Sequence, residues 1–331
     1  MNKKKITIKD VAKKAGLSIT SVSQILNGNT QRFSEKAIKK VYAAQKELNY
    51  VPDFFAQRMV TKKSHLIGVL VPDISNPFFA QLFLGIQDIL NKQGYVALLY
   101  NMGGDEKQES HYVEDLIRRG VDGLIIASSA FSDQSIYQAL QRESLPMIVM
   151  DQKTETDMVD AVQADNYDGG KQAALYLQKL GHKKVAVVLP ENPTVNVRKR
   201  YEGFASIYGD ELLVVNGELS TSGGQGAVKK IINSDITAIF AINDLIAFGL
   251  YMGLKEAGKK IPNDYSVVGF DDISPCGYVT PPLTTIAQPT FELGQEAAKM
   301  LMGRLNSPQK EPEEKMLPVK LVQRFSVMPL K

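Results

Sequence analysis

The chain has 331 residues, 44% hydrophobic and 23% charged, with a formal net charge of +3. That composition fits a globular protein of two or three domains and excludes a fibrous or low-complexity chain. A single cysteine, Cys276, excludes an internal disulfide. The longest apolar stretch, Ala238–Leu254, is interrupted by Asn243 and Asp244 and is too short for a bilayer. A cytoplasmic protein without a membrane segment is therefore expected.

Charge divides the chain unevenly. Residues 1–63 carry twelve Lys and two Arg against two Asp and two Glu, a net +10, which leaves −7 on residues 64–331. A basic start on an acidic body is the asymmetry of a nucleic-acid-binding head. Lys3–Lys5 imitate the start of a signal peptide, but the sequence after them, ITIKDVAKK, is amphipathic rather than continuously apolar.

The spacing predicts three helices in this head. Thr7 with Asp10 approximates a capping box, and Ile8, Val11, Ala12 and Ala15 share one helical face. Gly16 ends that helix, and Ser18 caps a second whose Val22, Ile25 and Leu26 point back at the first. Ile19, Thr20, Ser21 and Gln24 then face outward near its start, which is the layout of a helix-turn-helix. Ser34 caps a third helix to about Asn49, with Ile38, Val41, Tyr42, Gln45 and Leu48 along one side. Asp53 to Val60 is a short segment after Pro52, and Thr61 to Ser64 is a polar, basic linker.

From His65 onward, apolar runs alternate with helical patterns. The runs are Leu66–Val71, Tyr95–Tyr100, Gly123–Ala127, Met147–Met150, Lys184–Leu189, Ala238–Ile242 and Val267–Phe270. Helices are predicted at Phe79–Gln93, Lys107–Arg119, Gln134–Glu143, Tyr167–Leu180, Arg198–Tyr208, Gly223–Asn233 and Leu245–Ala257. Fully apolar strands between helices mean parallel sheets covered on both faces. Two doubly wound lobes suit the length, with a TIM barrel as the other architecture of this rhythm. Ser307–Lys315 is a polar stretch.

Ligands of doubly wound sheets sit at the carboxyl ends of the strands. Asn76, Phe78 and Phe79 follow the first run, Asp151 and Gln152 the fourth, and Arg198 and Arg200 stand beyond the fifth. Asn243, Asp271 with Asp272, and Gln288 follow later runs. Taken singly, an Asn or Asp after a strand is more often a helix cap. Together, amides, carboxylates, an arginine and paired phenylalanines suit a neutral polyhydroxylated ligand, with aromatic faces on a ring and polar groups on hydroxyls. His65, His111 and His182 are widely spaced, without metal-ligand neighbours. The sequence has no GxSxG elbow, phosphate-loop lysine motif or GxGxxG.

With those residues in place, the chain resembles the lac-repressor family of bacterial transcription regulators along essentially its whole length. The resemblance is carried by TIKDVAKKAGLS, TSVSQILNG, VPDISNPFF, RRGVDGLII, AINDLIAFG, VVGFDDI and PPLTTIAQP. It implies an α/β protein with an all-α helix-turn-helix head at residues 1–51 and a hinge helix and linker at 52–64. A two-lobed body at 65–331, like the periplasmic sugar-binding proteins, would follow. The first lobe would hold about 65–164 and 290–316, the second about 165–289 and 317–331. The resemblance implies a homodimer on a near-palindromic double-stranded DNA operator, a small sugar effector, no cofactor or metal, and no catalysis.

The base-reading positions of the family fall on Ile19, Thr20 and Gln24, with Thr7, Ser18, Ser21, Ser23 and Asn27 as further DNA contacts. Gln24 stands where arginine is common and suits adenine rather than guanine. Met59 stands at the minor-groove wedge, commonly leucine. Ligand positions fall on Asn76, Phe78, Phe79, Asp151, Arg200, Asn243, Asp271 and Gln288. Gln152 and Leu219 depart from the ribose-binding pattern, which has arginine and an aromatic there. The pattern most resembles ribose operon repressors of Gram-positive bacteria, then sucrose- or fructose-responsive relatives. Two other classes compete: an exported or lipid-anchored sugar-binding protein, and a sugar-modifying enzyme using Asp151, Asp271 and Asp272.

Overall fold

Helix α1 (Ile8–Ala15) opens where Asp10 Oδ2 accepts from both the backbone N–H (2.9 Å) and the hydroxyl (2.8 Å) of Thr7. It closes at Gly16, whose φ of 66° is the left-handed conformation a side chain would resist. Ser18 and Ser34 then cap α2 (Ile19–Leu26) and α3 (Glu35–Glu47) by accepting from Ser21 N (3.1 Å) and Ala37 N (3.3 Å). Val11, Ala12, Ala15, Val22, Ile25, Val41, Ala44 and Tyr50 form the small core among them. Ala44, rather than the expected Tyr42, completes it; Tyr42 lies at the rim and donates its hydroxyl to Ile25 O (3.3 Å).

The computed structural model describes residues 6–51, 63–103, 106–127, 145–150 and 159–330, divided into the units Met1–Ser64 and His65–Lys331. The hinge helix expected within 52–64 with Met59, the helix expected at Gln134–Glu143, and Asp151 with Gln152 lie outside the described residues.

The second unit holds two open sheets, which excludes a TIM barrel. The strands are β1 (Leu66–Val71), β2 (Val96–Asn101), β3 (Gly123–Ile126), β4 (Met147–Met150), β5 (Asp160–Ala164) and β6 (Val185–Leu189). They continue as β7 (Leu212–Asn216), β8 (Ala238–Ala241), β9 (Ser266–Asp271), β10 (Thr284–Ala287), β11 (Glu314–Leu317) and β12 (Lys320–Val322). The first sheet runs β11-β5-β4-β3-β1-β2, all parallel; the second runs β12-β10-β9-β8-β6-β7, parallel except for β12 against β10. Each is doubly wound, with its middle strands buried end to end, as fully apolar runs such as VAVVL and AIFA require. Helices α4 (Pro77–Lys92), α5 (Glu106–Arg119), α6 (Asn166–Lys179), α7 (Val195–Tyr208), α8 (Thr221–Ile231), α9 (Asp244–Glu256) and α10 (Thr290–Asn306) join them.

Three helix pairs approach backbone to backbone: α4 with α10, α6 with α7, and α8 with α9. Reciprocal glycines allow it. A Cβ on Gly170 of α6 would stand 1.9 Å from Arg200 O, and one on Gly203 of α7 1.9 Å from Tyr167 O.

The chain crosses between the lobes between β5 and α6, between β10 and α10, and between β11 and β12. Leu317 is still paired in the first sheet with Ala164, one residue past the expected end of the first lobe at 316. Asp160 at the start of β5 is buried, and Arg304 of α10 reaches it with Nε and Nη2, both at 2.7 Å. The same guanidinium donates to the carbonyls of Lys310 and Glu311. The polar stretch after Ser307 is thus held by polar contacts, from Arg304 and from Glu313 N to Asp160 (2.8 Å), rather than by apolar packing.

Gly170→Ala should lower unfolding free energy by about 1–3 kcal/mol, because the added methyl forces α6 from α7. Gly226 of α8 has nothing within 4 Å of the same position, so Gly226→Ala should gain up to about 1 kcal/mol of helix propensity. Urea titrations of the two variants should move in opposite directions.

Candidate functional site

The head presents α2 through its exposed residues. Ile19 is 45% accessible, Thr20 and Gln24 are also exposed, and none of the three is needed by the core. Other expected DNA contacts already have local partners. Ser18 Oγ lies 2.8 Å from Ser21 Oγ, and Asn27 Nδ2 donates to Ser23 Oγ at 3.5 Å. The Thr7 hydroxyl is held by Asp10. Ile19, Thr20 and Gln24 are thus the side chains on this helix that local structure leaves outward.

In the second unit a cavity of about 240 Å³ opens between the lobes. The first lobe supplies Asn76, Phe78 and Phe79 around the start of α4; the second supplies Arg200, Leu219, Asn243 and Asp271. Phe78 and Phe79 meet edge to face, their ring centroids 5.1 Å apart. Asn76 Oδ1 accepts from Phe78 N (3.0 Å) and Asn243 Oδ1 from Ile246 N (2.9 Å), so both are helix caps. Capping uses the carboxamide oxygen, so each donor end remains for the cavity. Asn76 and Asn243 thus have both roles, cap and cavity wall.

Arg200 is the charge around which the floor is built. It is 4% exposed. Its Nε donates to Asn166 Oδ1 (2.8 Å), its Nη1 to Ile242 O (3.0 Å), and Nη1 lies 3.2 Å from Asp271 Oδ1. Its guanidinium carbon stands 3.9 Å over the Phe270 ring. A buried cation needs this degree of satisfaction, since an unpaired one costs several kcal/mol. Asp271 also accepts from Gln288 Nε2 (2.7 Å) and has a φ of 118°, a strained conformation for a side-chain-bearing residue.

Gln288 therefore stands elsewhere than the sequence suggested. It is not among the described lining residues but lies behind Asp271, with its own Oε1 buried and without a hydrogen bond among the described residues. Arg198, two positions from Arg200 on α7, faces solvent, since two helical residues lie on nearly opposite sides. Asp272 pairs with Arg324 (2.7 Å) and is not in the cavity wall. Asp244, next to Asn243, is fully buried and accepts from Ile273 N (3.0 Å), Cys276 Sγ (3.1 Å) and Thr285 Oγ1 (2.7 Å). Burial, then the Asp271 charge, push its carboxyl above the ordinary range, against the pull of those donors. Among the described residues no group of His, Cys, Asp and Glu is arranged to hold a metal ion, and no helix is long and apolar enough to cross a membrane.

Asp73, in the strand-end stretch VPDISNPFF, also lines the cavity, and sequence reasoning missed Thr194, Asn196, Leu245 and Leu293. Thr194 and Asn196 follow β6 and were within reach of the strand-end rule. Leu293 sits on α10, a helix that the apolar pattern did not reveal.

Residues 7–53 match the model of the bacterial regulatory proteins, lacI family, and residues 64–325 that of the periplasmic binding proteins and sugar binding domain of LacI family. The transcriptional regulator DegA of Bacillus subtilis is 34% identical over 336 residues, covering 98% of this chain and 99% of its own. A LacI family transcriptional regulator of Enterococcus faecalis, crystallised with bound ribose, is 51% identical with a TM-score of 0.77, covering 80% of this chain and 100% of that one. The lac repressor dimer bound to operator and an anti-inducer is 28% identical with a TM-score of 0.86, covering 98% and 100%.

Arg200→Ala should destabilise the body by about 3–5 kcal/mol, because it strands the Asp271 carboxylate in a buried site. Arg198→Ala, on the exposed face, should stay within about 0.5 kcal/mol. Chemical denaturation of the two variants should show a large midpoint drop for the first alone.

Proposed function

Because the chain belongs to the lacI family of bacterial regulatory proteins, we propose that it represses a sugar-utilisation operon and that ribose, bound between its lobes, sets its hold on the operator. The observation that carries this reading is the charge balance of the cavity. Among its described lining residues Arg200 is the cation, and Asp271 already neutralises it. Asp73 adds a negative charge to the same wall. The starts of α4 and α9 would otherwise suit a phosphate, but one first-turn amide of each, Phe78 N and Ile246 N, is taken by Asn76 and Asn243. A neutral polyol with a flat apolar face fits what remains. Asn76 and Asn243 donate to hydroxyls, Asp271 accepts from them, and Phe78 and Phe79 cover the ring.

Size favours a monosaccharide. The cavity, at about 240 Å³, falls below the ~300–1,000 Å³ of sites for drug-sized ligands, which ranks sucrose below a pentose. Likeness to the ribose-bound Enterococcus faecalis regulator across all of that chain favours ribose. The binding roles of Asn76, Phe78, Phe79, Arg200, Leu219, Asn243 and Asp271 belong to this proposal, and Gln288 acts through Asp271. Turnover of the sugar is not part of it, since Asp271 is held in an ion pair and Asp272 points to Arg324.

The DNA half of the proposal is a homodimer acting in the cytoplasm on a near-palindromic operator, as the lac repressor dimer binds its own. Phosphate contacts come from the basic head, and base contacts from Ile19, Thr20 and Gln24. Gln24 offers an amide able to take adenine N6 and N7 together.

A thermal-shift screen tests the sugar. Ribose at about 100 times its Kd should stabilise the native protein by roughly 2.7 kcal/mol, while ribose 5-phosphate and sucrose should leave the melting temperature unchanged. Stabilisation by the phosphate alone would overturn the neutral-ligand reading. Gln24→Ala should cost about 1–3 kcal/mol at the cognate operator and relax selectivity at one position per half-site. Binding-site selection reads that outcome, and an equal loss on every sequence would reduce Gln24 to a backbone contact.

A further inference from the structure

Asn166 lies outside the cavity wall, yet it touches both the cavity floor and a lobe crossover. It is the first residue of α6, directly after the chain leaves β5, and it is 1% exposed. Its Oδ1 accepts from Arg200 Nε at 2.8 Å, and its Nδ2 donates to Ala164 O, the last carbonyl of β5, at 3.0 Å. The two neighbours fix the orientation of the amide, since a guanidinium only donates and a carbonyl only accepts.

The contact continues through the floor. Arg200 meets Asp271, Asp271 accepts from Gln288 Nε2 at 2.7 Å, and Gln288 is the residue before the crossover into α10. The third crossover joins at the other end, where Asp165 N donates to Leu317 O at 2.9 Å and Gln172 of α6 donates to Val319 O at 3.2 Å. A chain of buried polar contacts thus runs from Ala164 to Gln288 and passes under the ligand cavity.

We propose that Asn166 is a positioning residue that transmits occupancy of the cavity to the interlobe crossovers. This rests on the reading of the cavity as the effector site. Ligand hydroxyls that draw on Asp271 shift the partner Arg200 must satisfy. Arg200 is pinned by Asn166, and Asn166 is bonded to the end of β5, so movement at the floor is a movement at the crossover. One lobe arrangement is then favoured by the ligand only to the extent that this chain is better satisfied in it.

Asn166→Asp separates the two ends. It keeps an oxygen for Arg200 and replaces the donor to Ala164 O with an acceptor. Full-length wild type, Asn166→Asp and Asn166→Ala are titrated with ribose by calorimetry, then with operator by fluorescence anisotropy, without sugar and at saturating ribose. In wild type ribose should change operator affinity by roughly 5–150-fold, and in Asn166→Asp that ratio should fall below about 2-fold while ribose still binds. Asn166→Ala should lose ribose affinity as well, yet its ratio at saturation should also collapse. A residue with only a structural role would lower ribose affinity and melting temperature and leave the saturated ratio intact. That result, in either variant, overturns the proposal. A wild type that binds no ribose removes the effector reading and the relay with it; a responsive wild type beside equally responsive variants removes the relay alone.

Discussion

A guanidinium held out of water needs partners for its donors, and the body of this protein supplies them to Nε and Nη1 of Arg200. Its partners come from three places in the chain: Asn166 at the start of α6, Ile242 after β8, and Phe270 with Asp271 at the end of β9. The three places are far apart in sequence. They meet because a doubly wound sheet delivers the carboxyl ends of successive strands to one edge. The strain at Asp271, with its positive φ, is sustained because its carboxylate has both Arg200 and Gln288 to answer to. Such strain persists only where the surroundings over-determine it.

Backbone proximity is the second requirement. Arg200 sits on α7 at the contact with α6, where Gly170 and Gly203 allow the helices to touch. That brings Asn166, at the first turn of α6, within hydrogen-bonding distance of Nε. Glycine here spends helix propensity, about 1 kcal/mol each relative to alanine, and gains a close packing that no side chain permits. The same device recurs where α4 meets α10 through Gly85 and Gly294.

Much of this was legible in the sequence, for physical reasons. Apolar runs such as LIGVLV and VAVVL are buried on both sides and announce central parallel strands. The caps Ser18, Ser34, Asn76 and Asn243 stand where orphan helix amides need them. Edges were harder. β7 has one buried residue, Val215, β11 is mostly exposed, and β5 (DAVQA) carries two polar residues that are buried by partners rather than by apolar packing. Asp160 and Gln163 find those partners in Arg304 and Glu314, more than 140 residues away in sequence. No local pattern reports that. The cavity was legible as a set of strand ends, but the difference between Arg198 and Arg200, or between Gln288 in the wall and Gln288 behind it, depends on helix phase and on tertiary contact.

On the proposed reading, the two capping asparagines give such a cavity a way to act as a sensor. Each fixes the first turn of a helix with its oxygen, α4 in the first lobe and α9 in the second, and each lines the cavity. The donor ends are therefore as rigid as the helices that hold them. A ligand that bonds to one asparagine alone gains nothing from lobe position. A ligand that bonds to both is sensitive to the separation of two helix starts, which is the closure of the lobes. Its preference for one closure is limited to the hydrogen bonds it keeps there and loses elsewhere, about 0.5–1.5 kcal/mol for each neutral one. Two or three such bonds suffice for the 1–3 kcal/mol by which effectors commonly shift a second site. A small polar ligand with hydroxyls on opposite edges can thus act through geometry alone, without the large apolar area that tight binding by burial would need.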